Sequence, residues 1–334
     1  MRKRRAAAGR RAAALLRWYP AAWRARYGDE FAELLAAEIA ERPRCWRRTA
    51  DVARCGLSAR LGEAGLTARA LDPAAQVRAS LATVSCALAA FLTLGLAMLA
   101  QLAIGWQWTS PGGAATTAGT VLMCGAAGAV ALLGVIAAVP LAGRALAGLI
   151  RRRQPAWPAG LLAAGALVLV AGAHHFQNHW PGTGGLAGHR GLVPGGLAAF
   201  GWASTLAVSS YWAHPGVLAG FPALQLAWMV LSPVALAGLA AGTAAVIRRQ
   251  SLPPRLAARE ARLAGAAALA AGVFFTGAAC WVFGPGSAAA GLFHAGVMDV
   301  AGLGVMAVAL AAAVCAASSA RHGAAALAAG GTAS

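Results

Sequence analysis

Six apolar blocks, each about as long as a bilayer-crossing helix, dominate this sequence and limit what it can become. They cover residues 80–104, 117–143, 157–176, 217–247, 263–283 and 288–317. A hydrocarbon core needs about 20 mostly apolar residues in a helix. Only helices and closed barrels satisfy their own backbone hydrogen bonds in lipid. The blocks are too long and too continuous for barrel strands, so the expected fold is all-α: an integral membrane helical bundle of about six transmembrane helices. The rest of the composition agrees. Charged residues make up 11% of the chain, hydrophobic ones 59%, and the mean hydropathy is +0.64. A soluble domain carries about a quarter charged residues.

The net charge is +18, from 28 basic and 10 acidic residues. Its distribution points to a membrane and away from nucleic acid. Residues 1–79 hold 17 basic and 8 acidic side chains. The other basic residues sit almost entirely in short connections between apolar blocks, the positive-inside pattern. The expected organisation is a basic cytoplasmic helical domain over 1–79, a transmembrane domain over 80–320 and a short cytoplasmic tail over 321–334. Secretory-signal geometry is not met: the apolar run 12–16 is short, and Arg17 interrupts it. The plasma membrane is the expected location, with the N-terminus inside.

Segment 197–212 is the doubtful crossing. It is short and carries Ser204, Thr205, Ser209 and Ser210. If it does not cross, 27 of the 28 basic residues share one side and only Arg190 faces the other. If it crosses, the division is 21 to 7 and the arginines from 248 to 262 move outside. The positive-inside bias favours the first arrangement. The segment is therefore expected as a re-entrant or interfacial helix on the outer side.

In the N-terminal domain, Tyr19, Trp23, Tyr27 and Phe31 recur every four residues, which predicts one aromatic stripe on a helix opened by Pro20. Gly28-Asp29 is expected to break that helix, with Asp29 capping the next. A third helix is expected over 44–71. Its apolar stripe includes Trp46, Ala50, Ala53, Leu57 and Leu61, and Arg47, Arg48, Arg54 and Arg60 flank it. Those arginines are candidates for contact with an anionic lipid surface or a protein partner. The alternative is a small bundle with solvated arginines.

The stretch Leu16-Arg17-Trp18-Tyr19-Pro20-Ala21-Ala22-Trp23-Arg24-Ala25-Arg26-Tyr27-Gly28-Asp29-Glu30-Phe31 resembles a YP-x-x-W/F-R-x-R-Y-G-x-E prefix. That prefix opens many actinobacterial membrane proteins with no assigned activity. The runs His189-Arg190-Gly191-Leu192-Val193-Pro194-Gly195-Gly196 and Ser209-Ser210-Tyr211-Trp212-Ala213-His214-Pro215 are similar to the same group. A similar prefix precedes some bacterial orphan permeases of the macrolide-exporter type, which carry a large extracytoplasmic domain not found here. The resemblance implies a membrane family and brings no catalytic residues.

Candidate chemistry is sparse. His174, His175, His179, His189, His214 and His294 all fall on the outer side if 197–212 does not cross. His175 and His179 are four apart, which places two imidazoles on one helix face. They are candidate ligands for a metal or a haem iron, though no carboxylate or cysteine cluster accompanies them. The bland reading is interfacial histidines bonded to loop carbonyls. Asp299 is the one acid expected inside a span, with His294 five residues before it. A carboxylate in lipid is costly, so Asp299 and His294 form a candidate polar or ion site. No nucleophile elbow and no H-E-x-x-H motif is present, so no enzyme activity and no resident cofactor is expected. The leading expectation is a transporter-like or permease-associated component. The alternatives are a membrane regulator or sensor whose first domain docks a cytoplasmic partner, and an outer-face metal- or haem-binding protein.

Overall fold

The computed structural model describes residues 2–67, 72–104, 114–151, 155–176, 223–283 and 297–330, and every regular element among them is a helix. Three helices, α1 (Arg2–Leu16), α2 (Ala21–Glu41) and α3 (Trp46–Glu63), precede six more among the described residues. These are α4 (Pro73–Ile104), α5 (Ala114–Ile150), α6 (Trp157–Phe176), α7 (Ala223–Arg249), α8 (Pro254–Phe283) and α9 (Val297–Gly330). By length and composition, α4, α5, α7, α8 and α9 can each cross a membrane, and α6 is a shorter apolar helix. The chain is therefore built as a multi-pass membrane protein.

The small domain packs around Ala12, Leu16, Tyr19, Leu35, Ile39 and Val52. The aromatic stripe forms as the spacing requires. Tyr19 stacks on Trp23 with ring centroids 4.0 Å apart, and Phe31 meets both rings edge-on. The expected break at Gly28 does not occur, because α2 runs through it. A mid-helix glycine costs about 0.5–1 kcal/mol, less than the continuous face of α2 gains by burying Gly28, Leu35 and Ile39. Helix α3 ends at Glu63, earlier than expected. Gly65 takes a φ of 73°, and the Leu66 N–H donates to the Leu61 carbonyl across that turn, a left-handed stop that glycine adopts without strain.

Helix α4 starts on Pro73, where a missing N–H is harmless, and the Ala75 N–H donates to the Asp72 carboxylate. It runs antiparallel to α9: Gln76 meets Ser319 at one end, and Gly95 meets Met306 further along. Helix α5 runs antiparallel to α8, and α6 to α7, where Pro158 lies beside Gly242 and Gly172 beside Trp228. The start of α4, the ends of α5 and α7, the starts of α6 and α8 and the end of α9 thus lie at one end of the bundle. Arg144, Arg249, Arg255 and Arg321 mark that end. The small domain joins it there: Ser80 donates to the Gly65 carbonyl and Thr83 to the Ala64 carbonyl.

Four spans, α4, α5, α8 and α9, are longer than the sequence suggests. Helix α8 begins at Pro254, so Arg255, Arg259 and Arg262 are its first turns, where a connecting loop was expected. Helix α9 continues to Gly330 through the expected tail, because its last turns are rich in alanine. Only some of the glycines in the spans serve close packing. Gly125, Gly128, Gly134 and Gly238 have open space where a Cβ would stand. Close approaches are found at Gly242, where a Cβ would lie 3.1 Å from the Pro158 carbonyl oxygen, and at Gly277, where one would lie 2.7 Å from the Gly119 carbonyl oxygen. In lipid, van der Waals contact between backbones replaces the hydrophobic drive. The surface around the bundle is apolar, with Val121, Leu132, Val139, Leu269 and Val308 each more than 60% exposed, as a lipid-facing wall requires. Gly277→Leu should therefore cost roughly 1–3 kcal/mol through overpacking, read as earlier thermal unfolding of the detergent-solubilised protein. Gly125→Ala should leave the transition in place.

Candidate functional site

A cavity of about 330 Å³ lies between α4, α5, α7 and α8 near the arginine-rich end. Leu81, Leu88 and Leu92 of α4, Leu133 and Ala137 of α5, Ile247 of α7 and Leu263 of α8 give it apolar walls. Its polar lining consists of Ser85, Thr243 and Glu260. Ser85 is already bonded to the Leu81 carbonyl in its own helix. Glu260 is 2% exposed, and its Oε1 accepts no hydrogen bond. The nearest cation, Arg259 Nη1, stands 4.0 Å away and belongs to a side chain that is 45% exposed. A buried carboxylate oxygen without a hydrogen bond is costly unless something compensates it. Its burial is therefore the strongest signal of function in the described membrane domain.

The position follows from periodicity. Ala257, Glu260, Ala261, Ala264, Ala267, Ala268 and Ala271 are the buried face of α8, at steps of three and four. Glu260 takes a place that an alanine would otherwise fill. Arg255, Arg259 and Arg262 stand on other faces, 259 and 262 toward the exterior.

Arg259 has a second role. Pro140 lies inside α5 and has no N–H for the carbonyl four residues earlier. That carbonyl belongs to Ile136, and Arg259 Nη2 donates to it at 3.2 Å. Nearby, Gln250 donates to the Leu141 carbonyl and Arg144 to the Ser251 carbonyl. The second half of α5 is thus tied to α8 and to the α7–α8 connection beside the cavity.

The small domain carries a second concavity, a groove of about 660 Å³ between α2 and α3. The prefix residues Tyr19, Pro20, Trp23, Arg26 and Tyr27 form one wall, and Arg54, Cys55 and Ser58 stand opposite. Burial pushes the Tyr19 phenol above its ordinary value, and the neighbouring Cys55 thiol adds to the shift by its charge and its hydrogen bond.

The candidate arginines separate into two groups. Arg48 is buried, and its guanidinium donates to the Glu38 and Arg42 carbonyls. Arg60 donates to the Arg17 and Trp18 carbonyls after α1. Both hold the domain together, Arg48 from a buried position and Arg60 from an exposed one. Their reach is short and their fork fits carbonyls at helix ends. Arg47 and Arg54 are exposed, Arg47 over the Trp46 ring. The expected apolar stripe of α3 is not its buried face: Trp46 is 75% exposed, whereas Val52, Gly56 and Gly62 are buried. Gly56 is buried because the backbone of Trp18 lies against it.

His174 and His175 are exposed in the last turn of α6. His179, His189, His214 and His294 lie outside the described residues, as does the whole of 197–212. Asp299 falls in the first turn of α9, and its side chain lies outside what is described. Among the described residues no group of three His, Cys, Asp or Glu side chains converges as a metal site. Sequence reasoning missed Glu260 because three arginines surround it. The signal was its register with the alanines at 257, 261, 264 and 268. Comparison with family models, with curated proteins and with solved structures returns no match.

The Glu38 carbonyl keeps the Arg42 N–H as a donor, so removing the Arg48 guanidinium should leave the Arg42 carbonyl unpaired, at about 1–3 kcal/mol. Arg48→Ala should accordingly raise amide exchange across α2 and α3 while α8 stays protected. Tyr19 gives a pH signature. Its raised value means that the fold favours the neutral phenol, so this stabilisation is present below 10.0 and is lost as pH rises through the raised value. Amide exchange across α1–α3 in the wild type and Tyr19→Phe should change in parallel below pH 10 and diverge only above it.

Proposed function

We propose that this protein is a transporter-like membrane component whose solute site is the cavity around Glu260. The carrying observation is the apolar cavity between four helices with a 2%-exposed carboxylate in its wall. Sites for small solutes are concave, mostly apolar and supplied with few polar groups. A cavity of about 330 Å³ lies at the lower end of their range. The proline within α5 beside it suits a helix that moves, since its half-helices are joined by one hydrogen bond fewer.

In this reading the arginine-rich end faces the cytoplasm of a plasma membrane. The antiparallel α6–α7 pair brings Phe176 and Ala223 to the opposite end, as six spans with both termini inside require. A single cysteine at Ser251, in an otherwise cysteine-free variant, should resist a membrane-impermeant maleimide in intact cells and react after lysis. Labelling from outside would reverse the orientation.

The transport reading is tested by reconstitution. Purified protein in liposomes should give saturable flux of a small apolar or amphipathic solute, and Ala137→Phe, which fills the cavity, should abolish it. No flux above empty liposomes across a panel of such solutes would sink the idea. A regulator is the second reading, favoured by the groove that the prefix residues line. Its mark would be a partner protein that co-purifies with the wild type and is lost with Trp23→Ala.

A further inference from the structure

The chemistry of the cavity narrows its ligand. Strongly hydrated ions such as sodium or ammonium would lose their water against Leu88, Leu133 and Leu263 and would find one carboxylate in return, far too few ligands to replace a hydration shell. Anions are repelled by Glu260. Neutral apolar molecules would fill the space but leave the carboxylate as costly as before. One class satisfies both features: a cation whose charge is spread over, or shielded by, apolar groups. Such an ion gives up little hydration on entry and supplies the charge that Glu260 lacks.

Building on the transporter reading, we infer that the cavity binds a lipophilic monocation, such as a quaternary ammonium or phosphonium ion, with Glu260 as its counter-ion. The local arrangement fits. Arg259 is the nearest internal cation: its Nη1 stands 4.0 Å from Glu260 Oε1, beyond hydrogen-bond distance, while its Nη2 donates to the Ile136 carbonyl at 3.2 Å. The carbonyl that Pro140 frees keeps the guanidinium on the α5 side, so Oε1 stays without a hydrogen bond. Arg144 is held on the Ser251 carbonyl, and Arg249 lies over the Trp157 ring. These two arginines at the same end of the bundle are thus directed at a carbonyl and an aromatic ring, and the wall carboxylate remains for a guest.

Two probes of the same shape and opposite charge test this: tetraphenylphosphonium and tetraphenylborate. Equilibrium dialysis with the full chain in detergent should show saturable phosphonium binding, and borate binding at least about tenfold weaker, the equivalent of about 1.4 kcal/mol. Glu260→Gln should weaken phosphonium by a similar factor, and Glu260→Asp by less, with thermal unfolding of each variant confirming a folded protein. Equal binding of both ions, or phosphonium binding unchanged in Glu260→Gln, overturns the inference. A neutral probe, triphenylmethane, separates this inference from the reading beneath it. Should it bind as tightly as phosphonium and be lost in Ala137→Phe, the ligand class is wrong and the cavity remains the solute site. If Ala137→Phe and Leu88→Trp both fold and neither changes binding of any probe, the cavity itself is not the site.

Discussion

Every peptide group in a lipid core must find its hydrogen bond within the protein, and this requirement organises the molecule from α4 onward. Uninterrupted helices meet it by themselves. Proline does not, and α5 contains one in its second half. The Ile136 carbonyl that Pro140 leaves open would cost a few kcal/mol unpaired. Arg259 reaches it from α8. That bond needs the first turns of α8 to lie alongside α5, which extends α8 back to Pro254 and turns Glu260 inward. One missing N–H in α5 is thereby linked to the burial of an acid on a different helix.

Guanidinium-to-carbonyl bonds recur wherever the chain changes direction. Arg60 holds the turn after α1, Arg48 the end of α2, and Arg144 the connection after α7. Ten acids cannot balance 28 basic residues, so arginines that leave water need other acceptors. Helix C-termini offer carbonyls with partial negative charge and no internal partner. Two of the domain's four candidate surface arginines are used this way.

Much of the fold was legible because the constraint is one of length. The span at 157–176 coincides with α6, and the others overlap their helices over most of their length. The aromatic stripe followed from a four-residue step. The misreadings arose where tertiary contacts override local signals. Gly28 looks like a break until α1 packs on α2. Trp46 and Leu57 look like a core stripe until Gly56 admits the backbone of Trp18 to the other side of α3. Gly125 and Gly128 are as small as Gly119 and Gly277, yet the contact between α5 and α8 uses the latter pair. Small residues permit close approach without saying which helix comes near.

The site was harder to read than the fold for a related reason. An acid among arginines has two possible states that the sequence does not separate, a solvated residue in a charged loop or a buried one on a helical face. The distinction depends on where α8 begins. Beginning at Leu263 leaves Glu260 in water beside Arg259 and Arg262. With Pro254 as the first residue, the alanine register carries it into the wall of the cavity. Alanine at 260 would pack there at no electrostatic cost, as it does at 257, 261 and 264. A carboxylate in that place destabilises the bundle, and natural sequences tolerate such a cost mainly where function repays it. The nearest arginine stands 4.0 Å from it and also serves the Ile136 carbonyl, so the acid is left for a proton or a cationic guest to neutralise, which makes Glu260 the residue on which a functional account of this protein turns.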